Sequence, residues 1–232
     1  MESINNPFQA CKMLFLKPNP VFATIKAKHN WSWIPFLLVC IANILPALLY
    51  FDMVDMQWYQ STITNAIQGE MSPAEKRMLE QSMDTESIAS YTILGAIFGL
   101  ITSNAILAGY LYFMTKSDEQ LVWGFTNWFG FGWWLALPTA ITSVFAALII
   151  LLFGGSEMSP VMMSPTSLAF LLGIGFDEPN FTLFQAIRFE NFWMIYLTIV
   201  GLMHWTSLSY KKTVVIATTP YILLWILMAL MF

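Results

Sequence analysis

Apolar and polar positions fall in long blocks along this chain. Two apolar runs close it, 191–208 and 213–232, separated by Ser209-Tyr210-Lys211-Lys212. Each is close to the ~20 residues that an α-helix needs to cross a hydrocarbon core about 30 Å thick, and neither carries an ionised side chain. The pair reads as a transmembrane hairpin whose lysine-bearing turn lies on the cytoplasmic side. Three further runs precede it. The first, 33–51, follows Trp31 and Trp33, has Pro35 in its first turn and is kinked at Pro46. The others are 88–114 and 132–153, the latter bent at Pro138. The pattern predicts an all-α fold, a polytopic membrane protein with five transmembrane helices plus short interfacial helices.

Between these runs the apolar positions become periodic. Asn6-Pro7 and Asn19-Pro20 each pair an N-cap with a proline at the first helical position. Phe8, Cys11 and Phe15 recur at helical spacing beside Lys12, and Val21, Phe22 and Ile25 are followed by Lys26 and Lys28. An apolar face with lysines predicts that 1–32 forms amphipathic helices in the cytoplasmic headgroup layer; packing beneath the bundle is the alternative. Residues 33–232 then form the membrane domain. Within it, 52–87 is acidic and predicts an extracytoplasmic helical hairpin. Its first arm carries the stripe Met56, Tyr59, Ile63, Ile67 and stops at Gly69; its second opens with the capping box Ser72-Pro73-Ala74-Glu75, followed by Met78, Leu79 and Met83. Its charge reads as a solvated face. The aromatic stretch from Trp123 to Trp134 suits the headgroup layer. Ser164-Pro165 opens a short apolar helix over 168–172, interfacial or re-entrant, and Asn180 caps a helix that continues through Arg188 toward the fourth span.

Composition agrees with this picture. Hydrophobic residues make up 57% of the 232 and charged residues 10%, far below the roughly one quarter of a soluble domain. The net charge of −4 argues against nucleic acid as a partner. Cys11 and Cys40 cannot build a disulfide framework, and the proline-broken, lysine-bearing first thirty residues lack the h-region of a cleavable signal peptide. Of the ten basic residues, Lys12, Lys17, Lys26, Lys28, Lys116, Lys211 and Lys212 fall on the side assigned to the cytoplasm, and Lys76, Arg77 and Arg188 on the other. That asymmetry places the N-terminus inside and the C-terminus outside.

Candidate chemistry is sparse. No P-loop, dinucleotide fingerprint, HExxH, CxxC or GxSxG occurs, and His29 and His204 stand apart without ligand-spaced neighbours. No catalytic constellation, cofactor or metal site is expected, so the chain is read as non-enzymatic. Gly95, Gly99 and Ser103 fall every fourth residue and predict a close helix contact, within the chain or as a homo-oligomer seam, with Asn104 beside it as an interhelical hydrogen-bonder. His204 reads as a packing residue or a relay. Arg188 and Glu190 adjoin the fourth span; either both lie in the outer headgroup layer, or Glu190 faces the bundle and is paired.

Several segments together resemble the Yip family of Ypt/Rab-interacting membrane proteins, in particular its bacterial members. The resemblance rests on Asn6-Pro7-Phe8, Pro18-Asn19-Pro20, Phe22-Ala23-Thr24-Ile25 and Trp33-Ile34-Pro35-Phe36 near the start, the aromatic stretch leading to Pro138, and Phe189-Glu190-Asn191-Phe192-Trp193 through Leu208-Ser209-Tyr210-Lys211-Lys212 at the end. It implies a five-span helical fold and, for a bacterial-type member, a place in the inner membrane. Eukaryotic relatives bind prenylated Rab GTPases through a long polar N-terminal region. This chain starts almost directly with its first helices and lacks the Asp-Leu-x-Gly-Pro motif of those relatives, which counts against small-GTPase binding. The leading expectation is a membrane adaptor, organising or trafficking-related protein with the bilayer and an unidentified protein as partners. The alternative is a lipid or small-solute transporter or channel.

Overall fold

In a computed structural model the described residues are 4–67, 72, 85–118, 123–175 and 178–231. Apart from Ser72 and residues 85–87, the second arm of the hairpin expected over 52–87, with the rest of its capping box and with Lys76 and Arg77, lies outside them. Among the described residues the chain is helical: α1 (Pro7–Leu16), α2 (Pro18–Ile25), α3 (Trp33–Met53), α4 (Met56–Ile67), α5 (Thr85–Thr115), α6 (Phe125–Leu135), α7 (Leu137–Phe153), α8 (Leu168–Leu172), α9 (Phe181–Ala186), α10 (Phe189–Trp205) and α11 (Tyr210–Met231). Four segments are long and apolar enough to cross a membrane: Asn30–Met53, Ile88–Thr115, Phe125–Phe153 and Tyr210–Met231. A fifth, α10, has 17 residues, the lower end of what a span requires.

The residues fall into two compact units. One comprises 1–41, 99–140 and 189–227, the other 42–98, 141–188 and 228–232. In the first, α2 lies along α10, α1 packs on α2, and α6 packs on α10 and on the 3-10 turn His29–Ser32. Its core is aromatic: Phe22, Trp128 and Phe131 are fully buried and Trp134 nearly so. The stretch expected to sit as a belt among headgroups therefore fills the unit's interior. Burying rings of this size excludes more apolar surface than any aliphatic substitute, and offset or edge-on geometry adds to it. Phe131 meets Trp128 at 5.3 Å between centroids, Phe22 at 5.4 Å and Trp205 at 4.8 Å.

The N-terminal helices share that interior. Ala10, Leu14, Val21 and Phe22 are completely buried, so the inner face of each helix rests on protein and not on lipid alone. Asn6 caps α1 as expected, accepting the Gln9 N–H at 2.8 Å. The second Asn-Pro pair works differently. Pro18 takes the first helical position, so Asn19 lies inside α2 and its side chain is released for another contact.

In the second unit Tyr50, Val54, Ile150 and Met158 form a smaller core. The Tyr50 hydroxyl donates to the Met158 carbonyl at 2.9 Å. Asp55 caps α4, its Oδ1 accepting the Trp58 N–H at 2.8 Å, and Tyr59 from the predicted stripe packs edge-on to Tyr50 and Phe51. The cap of α8 is Ser167, not the expected Ser164: Ser167 Oγ accepts the Phe170 N–H at 3.2 Å. Asn180 precedes α9 with a left-handed backbone (φ 62°) and makes no side-chain cap. That helix stops at Ala186, and Arg188 is extended, bridged to Ser167.

Among the described residues, no part of this chain packs closely over Gly95 and Gly99, while the homo-oligomer seam is left untouched by that observation. Both residues are exposed, and a Cβ built on either meets no described atom within 4 Å. The close approaches belong to glycines of other helices. A Cβ on Gly132 would collide with the Asn104 side chain, and one on Gly201 with the Phe131 ring. Periodic small residues on a long span mark where a neighbour could come near; the partner helix decides whether it does.

Gly132→Ala and Gly201→Ala should each lower the melting temperature of the detergent-purified protein, by an amount equivalent to about 1–3 kcal/mol of overpacking. Gly99→Ala should leave it unchanged. Thermal unfolding of the three variants side by side checks the assignment, and equal melting temperatures would remove it.

Candidate functional site

The last turn of α10 leaves carbonyl groups that no further helical residue can satisfy. Lys26, just past α2, donates Nζ to the His204 carbonyl at 3.1 Å, and Trp123 Nε1 donates to the Trp205 carbonyl at 3.2 Å. Trp205 reciprocates, giving its own Nε1 to the Phe22 carbonyl at 3.1 Å. The Lys26 ammonium stands 6.0 Å from the centre of the Trp123 ring, within cation–π reach. A cation at a helix C-terminus is also favoured by the helix dipole.

The segment after α10 is held by a carboxylate. Asp118, 7% exposed in the turn after α5, accepts the Ser207 N–H through Oδ2 and the Ser207 hydroxyl through Oδ1, both at 2.6 Å. Two charge-assisted bonds of this length make a strong polar contact. They also explain why helix α10 ends at Trp205 rather than continuing through the expected limit of 208: the Ser207 amide is committed to Asp118. His204 completes the clasp, its Nε2 lying 2.9 Å from Asn19 Oδ1.

Beside this clasp, between the end of α5 and the start of α11, lies a recess of about 400 Å³. Its walls are Met114, Leu208, Val215 and Ile216, with Ser117, Lys211 and Lys212 supplying the polar groups. Both lysines are exposed. A second, wholly different groove of about 580 Å³ runs beside Leu107, Tyr110, Trp133, Met194 and Tyr221, almost entirely apolar apart from Ser103, Asn104 and a few hydroxyls.

The sequence-predicted residues separate. Asn104 is buried and donates Nδ2 to the Phe129 carbonyl at 2.9 Å, tying α5 to α6 as an interhelical bond. Ser103 is exposed on the apolar groove, and Gly95 and Gly99 are exposed with no described atom within 4 Å of a built Cβ. Glu190, in the first turn of α10, is 5% exposed, so it is not solvated. Arg188 Nε donates to the Gln185 carbonyl at 3.1 Å. His204 does pack through a hydrogen bond, in the last turn of its helix. Asp118, Trp205, Lys26 and Ser207 were not singled out from the sequence. Asp118 sits in a five-residue polar loop whose composition suggests only solvent exposure, and no spacing rule joins it to a serine 89 positions away. Among the described residues no group of three or more His, Cys, Asp or Glu could hold a metal ion.

What this arrangement defines is a helical, multi-pass integral membrane protein. Comparison with protein families places it more closely: the Yip1 domain matches residues 12–232, nearly the whole chain. The protein belongs to the Yip family. No curated protein and no solved structure gives a significant match.

Asp118→Ala should cost about 1.5–3 kcal/mol, the worth of hydrogen bonds to a charged group. Ser207→Ala should cost less, because the backbone N–H keeps its acceptor. A double-mutant cycle read by thermal unfolding should show strong non-additivity; additive effects would mean that the two residues do not act as a pair.

Proposed function

We propose that this Yip-family protein is a non-enzymatic membrane adaptor or organising protein, which presents the clasp at the end of α10 and the surface around it to a partner at the membrane surface. One observation carries the reading. The core of the unit around α10 is dominated by aromatic packing, with Phe22, Trp128, Phe131 and Trp134 all at or below 1% exposure, and the recess carrying charged groups lies at helix ends. A transport route would instead place polar or ionisable side chains along a passage at membrane depth. Asn104 is committed to a backbone carbonyl, and the groove beside it is apolar. We assign this face to the cytoplasm of a bacterial inner membrane, on the distribution of the lysines. Helix α1 then lies in the headgroup layer with Phe8 and Leu16 turned outward, 62% and 71% exposed, while its inner face is held by the protein.

Two measurements test this. Single cysteines at Ser117 and Ser209, in a background lacking Cys11 and Cys40, should resist a membrane-impermeant thiol reagent in intact cells, and one at Ser72 should react. Background labelling will be low even before Cys11 is removed, since burial pushes its thiol up to about 12. Labelling at Ser117 would reverse the orientation. A photocrosslinker at Ser117 or Ser209 should capture one discrete protein species in native membranes, while proteoliposomes of the pure protein should show no saturable lipid or solute flux. Such flux without a captured partner would overturn the adaptor reading in favour of a transporter.

A further inference from the structure

The recess between α5 and α11 has a composition that neither its burial nor the clasp explains. Its walls, Met114, Leu208, Val215 and Ile216, are apolar. Met114 is 42% and Val215 59% exposed, so two of these side chains present apolar surface that the protein leaves uncovered. The polar groups at its edge are Ser117, Lys211 and Lys212, two cations and a hydroxyl. The nearby carboxylate, Asp118, keeps its charge but directs both oxygens to Ser207. Among the described lining residues the recess is therefore amphiphilic, with the two lysines as its charged groups.

It also lies at a particular depth. Met114 falls in the last turn of Ile88–Thr115, and Lys211 and Lys212 in the first turn of Tyr210–Met231, two segments with the length and hydropathy of spans. The recess thus opens where hydrocarbon gives way to headgroups, and its volume of about 400 Å³ is that of a ligand site. Basic pockets between spans at this level suit anionic lipid headgroups, because each lysine gains from a phosphate while the adjoining apolar wall takes the first methylenes of an acyl chain.

We propose that this recess is a binding site for an anionic glycerophospholipid of the surrounding bilayer, its phosphate held by Lys211, Lys212 and the Ser117 hydroxyl and its proximal acyl chain laid against Leu208, Val215 and Ile216. The lipid is a resident ligand and not a transported one. The site stands whether or not the protein proves to be an adaptor.

Native mass spectrometry of the full-length protein, titrated in detergent with phosphatidylglycerol or phosphatidylcholine of matched chains, reads the site directly. One phosphatidylglycerol should be retained in preference to phosphatidylcholine. Lys211→Gln/Lys212→Gln should weaken phosphatidylglycerol binding by about 30-fold, the product of two surface lysines, and Lys211→Arg/Lys212→Arg should largely keep it. Lys12→Gln/Lys28→Gln removes the same charge away from the recess and should change nothing. Val215→Trp, which fills an exposed wall position, should weaken binding with both lysines intact. Glycerol 3-phosphate, a headgroup without chains, should not compete. The proposal is overturned by equal retention of the two lipids, by an equal loss in the Lys12/Lys28 control, by an unaffected Val215→Trp variant, or by effective competition from glycerol 3-phosphate. Both lysines are exposed, so their replacement leaves folding intact, and the melting temperature of each variant confirms that.

Discussion

The C-terminal turn of α10 imposes the constraint that the first unit is built to meet. A helix that ends within the protein leaves carbonyls without partners, and those buried from water must find their donors in the protein itself. Here the donors come from far along the chain. Lys26 reaches the His204 carbonyl across 178 positions, and Trp123 the Trp205 carbonyl across 82. Satisfying one helix end thus fixes where α2 and the start of the aromatic segment must lie. Once α2 is in place, Gly201 determines how closely the rings can gather: any side chain there would occupy the position of the Phe131 ring. The aromatic core is in this sense a consequence of how a single helix terminates.

That order of causes shows what a sequence can disclose. The long apolar runs were readable because their length is set by the bilayer, an external ruler that does not depend on the rest of the fold. Hence 33–51, 88–114 and 213–232 lie within a few residues of observed helices. The Asn6 cap was readable for a similar reason, since it is a contact across three positions. Asn19 was misread by the same rule, because Pro18 offered an equally good start one residue earlier and a distant histidine took up the side chain. Local rules hold until a tertiary contact offers the group something better.

The aromatic stretch, and the glycine stripe as a contact within the chain, were misplaced for a related reason. Tryptophan favours a membrane interface because one end of the ring is apolar and the other carries a donor, and both needs are equally met by an interior that supplies an acceptor. Trp134 finds Ser32 Oγ at 3.1 Å and Trp205 finds the Phe22 carbonyl. Composition alone cannot separate the two settings. Likewise, small residues at every fourth position remove an obstacle without supplying an attraction, so Gly95 and Gly99 remain exposed while the close contact forms at Gly132, where Asn104 contributes a hydrogen bond.

The candidate site was least legible of all, and the reason is physical. Asp118 and Ser207 are ordinary loop residues whose significance depends on proximity, and proximity follows from the helix packing described above. Asp118 directs both oxygens to Ser207, while Lys211 and Lys212 stand exposed at the edge of the recess, on a chain whose net charge is −4. In water such exposed lysines gain little from fixed partners. Beside an apolar wall at a helix end they gain most where the surroundings provide both hydrocarbon and anionic groups. The membrane surface is the environment that supplies the two together.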